Sequence, residues 1–140
     1  MYGKTILGAA FVLGLALAAS VPILAEEAPR RADAAELCKE RCLECERVCQ
    51  ETLAHCTDMG GKHVEGEHLR LMIDCADICH TTASFVMHRS EFMGAEAQVC
   101  GEVCARCAAS CERVGADEHM KGCVDACKRC ADACRKMHGG

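Results

Sequence analysis

Three stretches of this chain repeat one spacing of cysteine. Cys38, Cys42, Cys45 and Cys49 form the first, Cys100, Cys104, Cys107 and Cys111 the second, and Cys123, Cys127, Cys130 and Cys134 the third. Each run advances by four, three and four residues. That is the rhythm of heptad a and d positions, which places all the sulfurs of a run on one stripe of a helix. Continued along the first segment, the step reaches Thr52, Cys56 and Met59. A further segment carries the same stripe with fewer thiols, through His68, Met72, Cys75, Cys79, Thr82 and Val86. The last stripe extends to Met120 at one end and Met137 at the other. Any fold compatible with this pattern has to turn the stripes toward a shared interior.

The breaks between stripes set the number of helices. No proline follows Ala34, and the interruptions are Gly60-Gly61, a weaker one near Gly94, and Gly115 followed by Asp117. The last pairs a helix stop with a residue suited to cap the next helix. The segments between are rich in Ala, Glu, Arg and Lys, which favour helix. Short connections between four such segments predict an all-α, antiparallel, up-down-up-down four-helix bundle. With 15 cysteines against one tyrosine and three phenylalanines in 140 residues, sulfur replaces the usual aromatic core, and the length suits one domain. The largest hydrophobes, Leu71, Ile78, Phe85 and Phe92, recur every seven residues off the cysteine stripe and predict lateral packing against a neighbouring helix or subunit. Charged residues such as Glu40, Glu44, Arg47, Glu102, Arg106, Asp125 and Lys128 fall between the cysteines, as a solvated face would require.

The first 25 residues read differently. Lys4 is followed by an uncharged run from Thr5 to Ala25, and Glu26 and Glu27 then begin the polar part. This predicts a signal peptide over 1–25, cut after Ala25, with an uncleaved apolar helix as the alternative. Residues 26–33 are then a linker and 34–138 the bundle. Export, to a bacterial periplasm, follows, with no membrane attachment after cleavage. A net charge of −5 and no basic patch with interleaved aromatics argue against a nucleic-acid partner.

Thiols in such numbers admit several uses. A disulfide framework suits an exported chain, but residues one helical turn apart point their Cβ bonds the same way, and an odd count leaves a thiol over. Redox exchange at the C-x2-C steps Cys42/Cys45, Cys104/Cys107 and Cys127/Cys130 lacks the helix N-terminus that lowers a thiol pKa. Simple packing accounts for one or two cysteines. Metal binding fits the spacing directly: seven C-x3-C pairs, among them Cys75/Cys79, bring two sulfurs close enough to clamp an ion. Thiolates with added thioethers select Cu(I), whereas zinc wants closed tetrahedra and iron–sulfur clusters usually want cysteines on loops. Since one Cu(I) neutralises one buried thiolate, saturation by multiple ions near the cysteine count is expected. A thiol/disulfide redox protein and a zinc or iron–sulfur carrier stay open as rivals. No nucleophile–base–orienter set, phosphate loop or carboxylate pair suggests an enzyme.

The run Cys100-Gly-Glu-Val-Cys104-Ala-Arg-Cys107-Ala-Ala-Ser-Cys111 and its echo from Cys123 to Cys134 resemble the four-helix-bundle copper storage proteins over residues 34 to 138. The resemblance implies that all 15 cysteines, Cys56 included, are Cu(I) ligands. It also implies that bundles associate, commonly as tetramers, and the leader places this chain with exported members. Copper donor or client proteins are then natural partners. In an up-down-up-down bundle one pole gathers Met59, His63, His68, Met72, His119 and Met120, with His55 one turn below Met59. These thioethers and imidazoles need not lose a proton as a thiol does, which suits capture and transfer. We expect this pole to be the mouth of the store. The opposite pole holds Met87, His88, Met93, Met137 and His138, and His80 lies off the stripe.

Overall fold

The computed structural model describes residues 21–139, and four α-helices and one short 3-10 helix account for nearly all of these residues. Residues 1–20 of the expected leader lie outside the described residues. Helix α1 spans Val21–Met59, α2 Gly66–Met87, α3 Met93–Val114 and α4 Glu118–Gly139. Among the described residues no helix is long and apolar enough to cross a membrane. The helices pack in the cyclic order α1, α2, α3, α4, with α4 also against α1. Sulfur contacts such as Cys38 with Cys134 and Cys49 with Cys123 fix α1 and α4 as antiparallel.

The core is the cysteine stripe. All fifteen cysteines are buried, none more than 1% exposed, together with Met72, Met120 and small alanines such as Ala83, Ala97 and Ala108. Where the stripe substitutes threonine, Thr52 and Thr82 are buried in its register. Their hydroxyls donate back to Val48 O and Ile78 O one turn earlier, so neither is left unsatisfied. Leu71 and Ile78 pack half-buried against the core. Phe92 does not join them; it is 61% exposed.

Three connections differ in construction. After α1, Gly60 and Gly61 both take positive φ, 65° and 58°, a conformation that glycine adopts without the Cβ clash. The 3-10 helix Gly61–Val64 follows and turns His63 inward. The break expected near Gly94 falls earlier, at residues 88–92, where Arg89 adopts a left-handed φ of 55°. Phe92 therefore ends in the connection rather than on a helix face. Before α4, Asp117 accepts a hydrogen bond from the Met120 amide at 3.0 Å, the N-cap expected of an aspartate there.

Helix α1 is 39 residues long, against 22 for each of the others, and residues 26–33 are part of it. The expected linker is therefore helical and exposed, continuing past the bundle with Pro29 inside it. On the outer faces, Arg129 bonds Glu44 at 2.8 Å and Lys128 bonds Glu112 at 2.6 Å. Such exposed pairs are screened by solvent and add little to stability. His80 is exposed and faces Glu46 across α1 and α2 at 3.2 Å.

Candidate metal centre

The heptad register turns four stripes inward, and the sulfurs meet across helices as well as along them. Along a helix, Cys38/Cys42, Cys100/Cys104 and Cys123/Cys127 lie 3.9 Å apart, and Cys45/Cys49 and Cys130/Cys134 4.0 Å. With metal–sulfur bonds of about 2.3 Å, as for zinc thiolate, that separation subtends about 120°. The C-x3-C pair can thus clamp an ion, as its spacing implies, and at this angle leaves room for a third ligand. Neighbouring helices supply it. Cys42 reaches Cys130 at 3.6 Å and Cys100 at 3.8 Å, while Cys79 reaches Cys104 at 3.5 Å. Cys45 touches Cys127 at 3.7 Å, and Cys111 touches Cys123 at 3.2 Å.

These contacts assemble overlapping quartets: Cys42, Cys79, Cys100 and Cys130; Cys45, Cys75, Cys79 and Cys104; Cys45, Cys49, Cys75 and Cys127; and Cys49, Cys107, Cys123 and Cys127. The overlap is chemically decisive. Cys45, Cys49, Cys75, Cys79 and Cys127 each belong to two quartets, so separate closed tetrahedra cannot all be filled. Ions that share sulfurs and accept few ligands use the array fully, which is the behaviour of Cu(I) with thiolates. Cys75 and Cys79, the thiols of the sparse second stripe, sit inside this network rather than beside it.

Electrostatics agrees with a core that exchanges protons for ions. Hydrogen bonding with Cys100 and Cys104 holds the Cys79 thiol well above its ordinary range. Bonds from Cys104 and Cys127 hold Cys45 well below it. At the end of the array away from His68, Cys134 and then Cys42 pull Cys38 down to about 4. Protons are therefore shared among neighbours, and full deprotonation needs a cation for each charge. All fifteen cysteines are free thiols.

At the pole of His68 the donor set changes. Cys56 Sγ lies 3.7 Å from His68 Nε2, 3.8 Å from Met120 Sδ and 3.9 Å from His63 Nδ1. His68 is oriented by Ser110, whose Oγ is 2.9 Å from Nδ1. The sequence pattern held no sign of this contact beyond the place of Ser110 next to Cys111. Burial pushes the Cys56 thiol up to about 11, helped by the charges of Cys123 and Asp117. Burial also holds His68 below the usual imidazole range, so its ring stays neutral and able to donate a lone pair. A cleft of about 320 Å³ lined by Lys62, Glu65, His68, Ser110 and Arg113 leads to this group.

Of the six residues assigned to this pole, the structure brings His63, His68 and Met120 to Cys56 and buries Met72 nearby in the core. Met59 does not join them: helix α1 ends there and leaves its side chain 57% exposed. His119 also faces outward, with its ring stacked on His55 at 4.2 Å.

A cysteine-lined four-helix bundle with overlapping sulfur quartets and a mixed imidazole–thioether pole defines a protein that binds many soft metal ions. Residues 31–139 match the family described as copper storage protein, Csp, and the chain belongs to that family. Members of this family are storage proteins rather than enzymes. The Nmul_A1745 protein of Nitrosospira multiformis is 42% identical and superposes with a TM-score of 0.72, over 76% of this chain and 96% of its own. The Cu(I)-bound copper storage protein BsCsp3 is 30% identical with a TM-score of 0.70, over 74% and 97% of the two chains. Ccsp of Streptomyces lividans, in a form loaded with 10 copper equivalents, is 31% identical with a TM-score of 0.71, over 77% and 86%. The chain is also 31% identical over 69 residues to the cysteine-rich protein YhjQ of Bacillus subtilis, a match spanning 49% of this chain and 64% of that relative.

Proposed function

We propose that this protein stores Cu(I) at high capacity through the thiolates of all fifteen cysteines, at about one ion per thiol. The observation that carries this reading is the burial of fifteen free thiols in overlapping quartets. Among the described residues no lysine or arginine is buried in the core, so incoming cations are what neutralises the thiolates. The store serves copper supply or detoxification outside the cytoplasm, after loss of residues 1–25, and works as a homo-oligomer, a tetramer by family resemblance. Exposed Leu43, Ile73 and Val99 offer apolar surface for association. Copper enters and leaves, by exchange with donor or client proteins, at the pole of Cys56, His63, His68 and Met120.

Titrating the reduced apo protein with Cu(I) against a competing chelator tests capacity and mouth together. The endpoint is expected near the thiol count, and an endpoint at about two ions would refute storage. Followed in time, H63A/H68A loads more slowly than the parent while ending within about two ions of the same capacity. Equal loading rates would move the mouth elsewhere. Intact mass and sedimentation of protein recovered from the periplasm check the remaining parts of the reading: a chain lacking residues 1–25, and a particle of several chains.

A further inference from the structure

A second group of donors lies outside the sulfur core, on the same pole. Among the described residues His55 Nε2 is buried without a hydrogen-bond partner, and it stands 3.4 Å from Asp117 Oδ1. The His119 ring lies against His55, centroids 4.2 Å apart and planes 16° from parallel. His63 meets His55 edge-on at 5.9 Å, but its Nδ1 is turned toward Cys56. We propose that His55, Asp117 and His119 form a site for a divalent transition-metal ion, held by nitrogen and oxygen and separate from the Cu(I) store.

Geometry supports one ion between His55 and Asp117. Two donors 3.4 Å apart can each bond one metal at about 2.0–2.2 Å with an angle near the tetrahedral one. The carboxylate is already fixed, since Oδ1 caps α4 through the Met120 amide. Space beside it is kept open by Gly115: a Cβ there would fall 3.1 Å from Asp117 Oδ2 and 3.3 Å from His63 Cε1. His119 is exposed, so its ring can rotate from the stack to bring a nitrogen to the ion. Ligand chemistry separates this group from the inner one. Imidazole with carboxylate suits Cu(II), Zn(II) or Ni(II), and Cu(II) binds such donors most tightly. Sulfur with imidazole, as at Cys56, suits Cu(I). The pole thus sorts ions by charge and softness, with the divalent ion kept outside the thiolates.

The test adds one equivalent of Cu(II) to protein already filled with Cu(I), so that thiolates are occupied, and records the electron paramagnetic resonance spectrum. It rests on the storage reading only for that filling. Cu(I) content is measured separately by chelator competition, so underfilling counts against storage while the spectrum judges the outer site. The expected spectrum is that of an axial Cu(II) with nitrogen hyperfine splitting. In H119A, where the exposed side chain can be removed without touching the core, Cu(II) affinity falls at least about tenfold, and in H55Q/H119A further. H80A, which changes an imidazole on another face, leaves it unaltered. An unchanged spectrum and affinity in H55Q/H119A, or sulfur ligation in place of nitrogen, overturns the proposal.

Discussion

Acidifying the medium from pH 8 to pH 6 is expected to weaken Cu(I) uptake by about 100-fold for each ion that displaces one proton. The thiols set this dependence. A thiol pushed up to about 11, as burial does to Cys56, is protonated throughout that window. Every unit of pH below its pKa makes removal of its proton about 1.4 kcal/mol more costly. Binding therefore strengthens as pH rises toward 11 and weakens as it falls, with log apparent affinity changing by about one per pH unit per proton. The neighbouring donors behave otherwise. The Met120 thioether has no proton to lose, and burial keeps the His68 ring neutral to lower pH than a free imidazole. Acid should therefore empty the thiolate array before it disables the imidazole and thioether at the mouth. Chelator competition at several pH values, corrected for the chelator's own protonation, measures the slope. A flat profile would mean that thiols do not give up protons to copper.

The sequence spoke most clearly where a side chain's role follows from helical register. A step of four, three and four residues places sulfur on one face whatever surrounds it, and all fifteen cysteines are buried. Thr52, Thr82 and Met72, read only as continuations of that step, are buried in register too. Register fails at helix ends. Met59 satisfies the step but stands where α1 stops and Gly60 turns the chain, so its side chain points to solvent. The weak break at Gly94 misled for a related reason, because the turn is carried by Arg89 in a left-handed conformation that its residue type does not advertise. Contacts between helices were also hidden. Spacing along one helix identifies C-x3-C pairs, yet the third and fourth sulfurs come from strangers in sequence, such as Cys42 and Cys130, 88 residues apart. The stacking of His55 on His119, and the hydrogen bond between His68 and Ser110, likewise depend on how far each helix extends before it turns.

Removing the shared sulfurs should cut the store in two. In C45A/C75A/C79A/C104A the capacity is expected to fall by about four ions, one for each lost charge. The more telling effect is kinetic. These four cysteines form one quartet; Cys45 and Cys75 connect it to the neighbour on the mouth side and Cys79 to the neighbour on the far side. Without them, Cys38, Cys42, Cys100, Cys130 and Cys134 are separated from the mouth at Cys56, His63, His68 and Met120. An ion passing between overlapping quartets keeps at least one sulfur bond as it gains the next, whereas an ion crossing a gap lined by methyl groups loses its ligands before finding new ones. Leaving charge unpaired in an apolar interior costs several kcal/mol, so the far segment should fill much more slowly than the near one. Alanine is the informative replacement: serine would bury hydroxyl groups without partners and could destabilise the fold by about 1–3 kcal/mol at each site. Each alanine removes one sulfur and no polar contact other than those among thiols, and far-ultraviolet circular dichroism of the apo variant verifies that the bundle persists. Time-resolved Cu(I) uptake should then split into a fast phase and a slow one, with the slow amplitude near five ions for the five isolated thiols. A single phase with only the four-ion loss would show that copper reaches the far segment by another route, through the opposite pole near Met137 and His138.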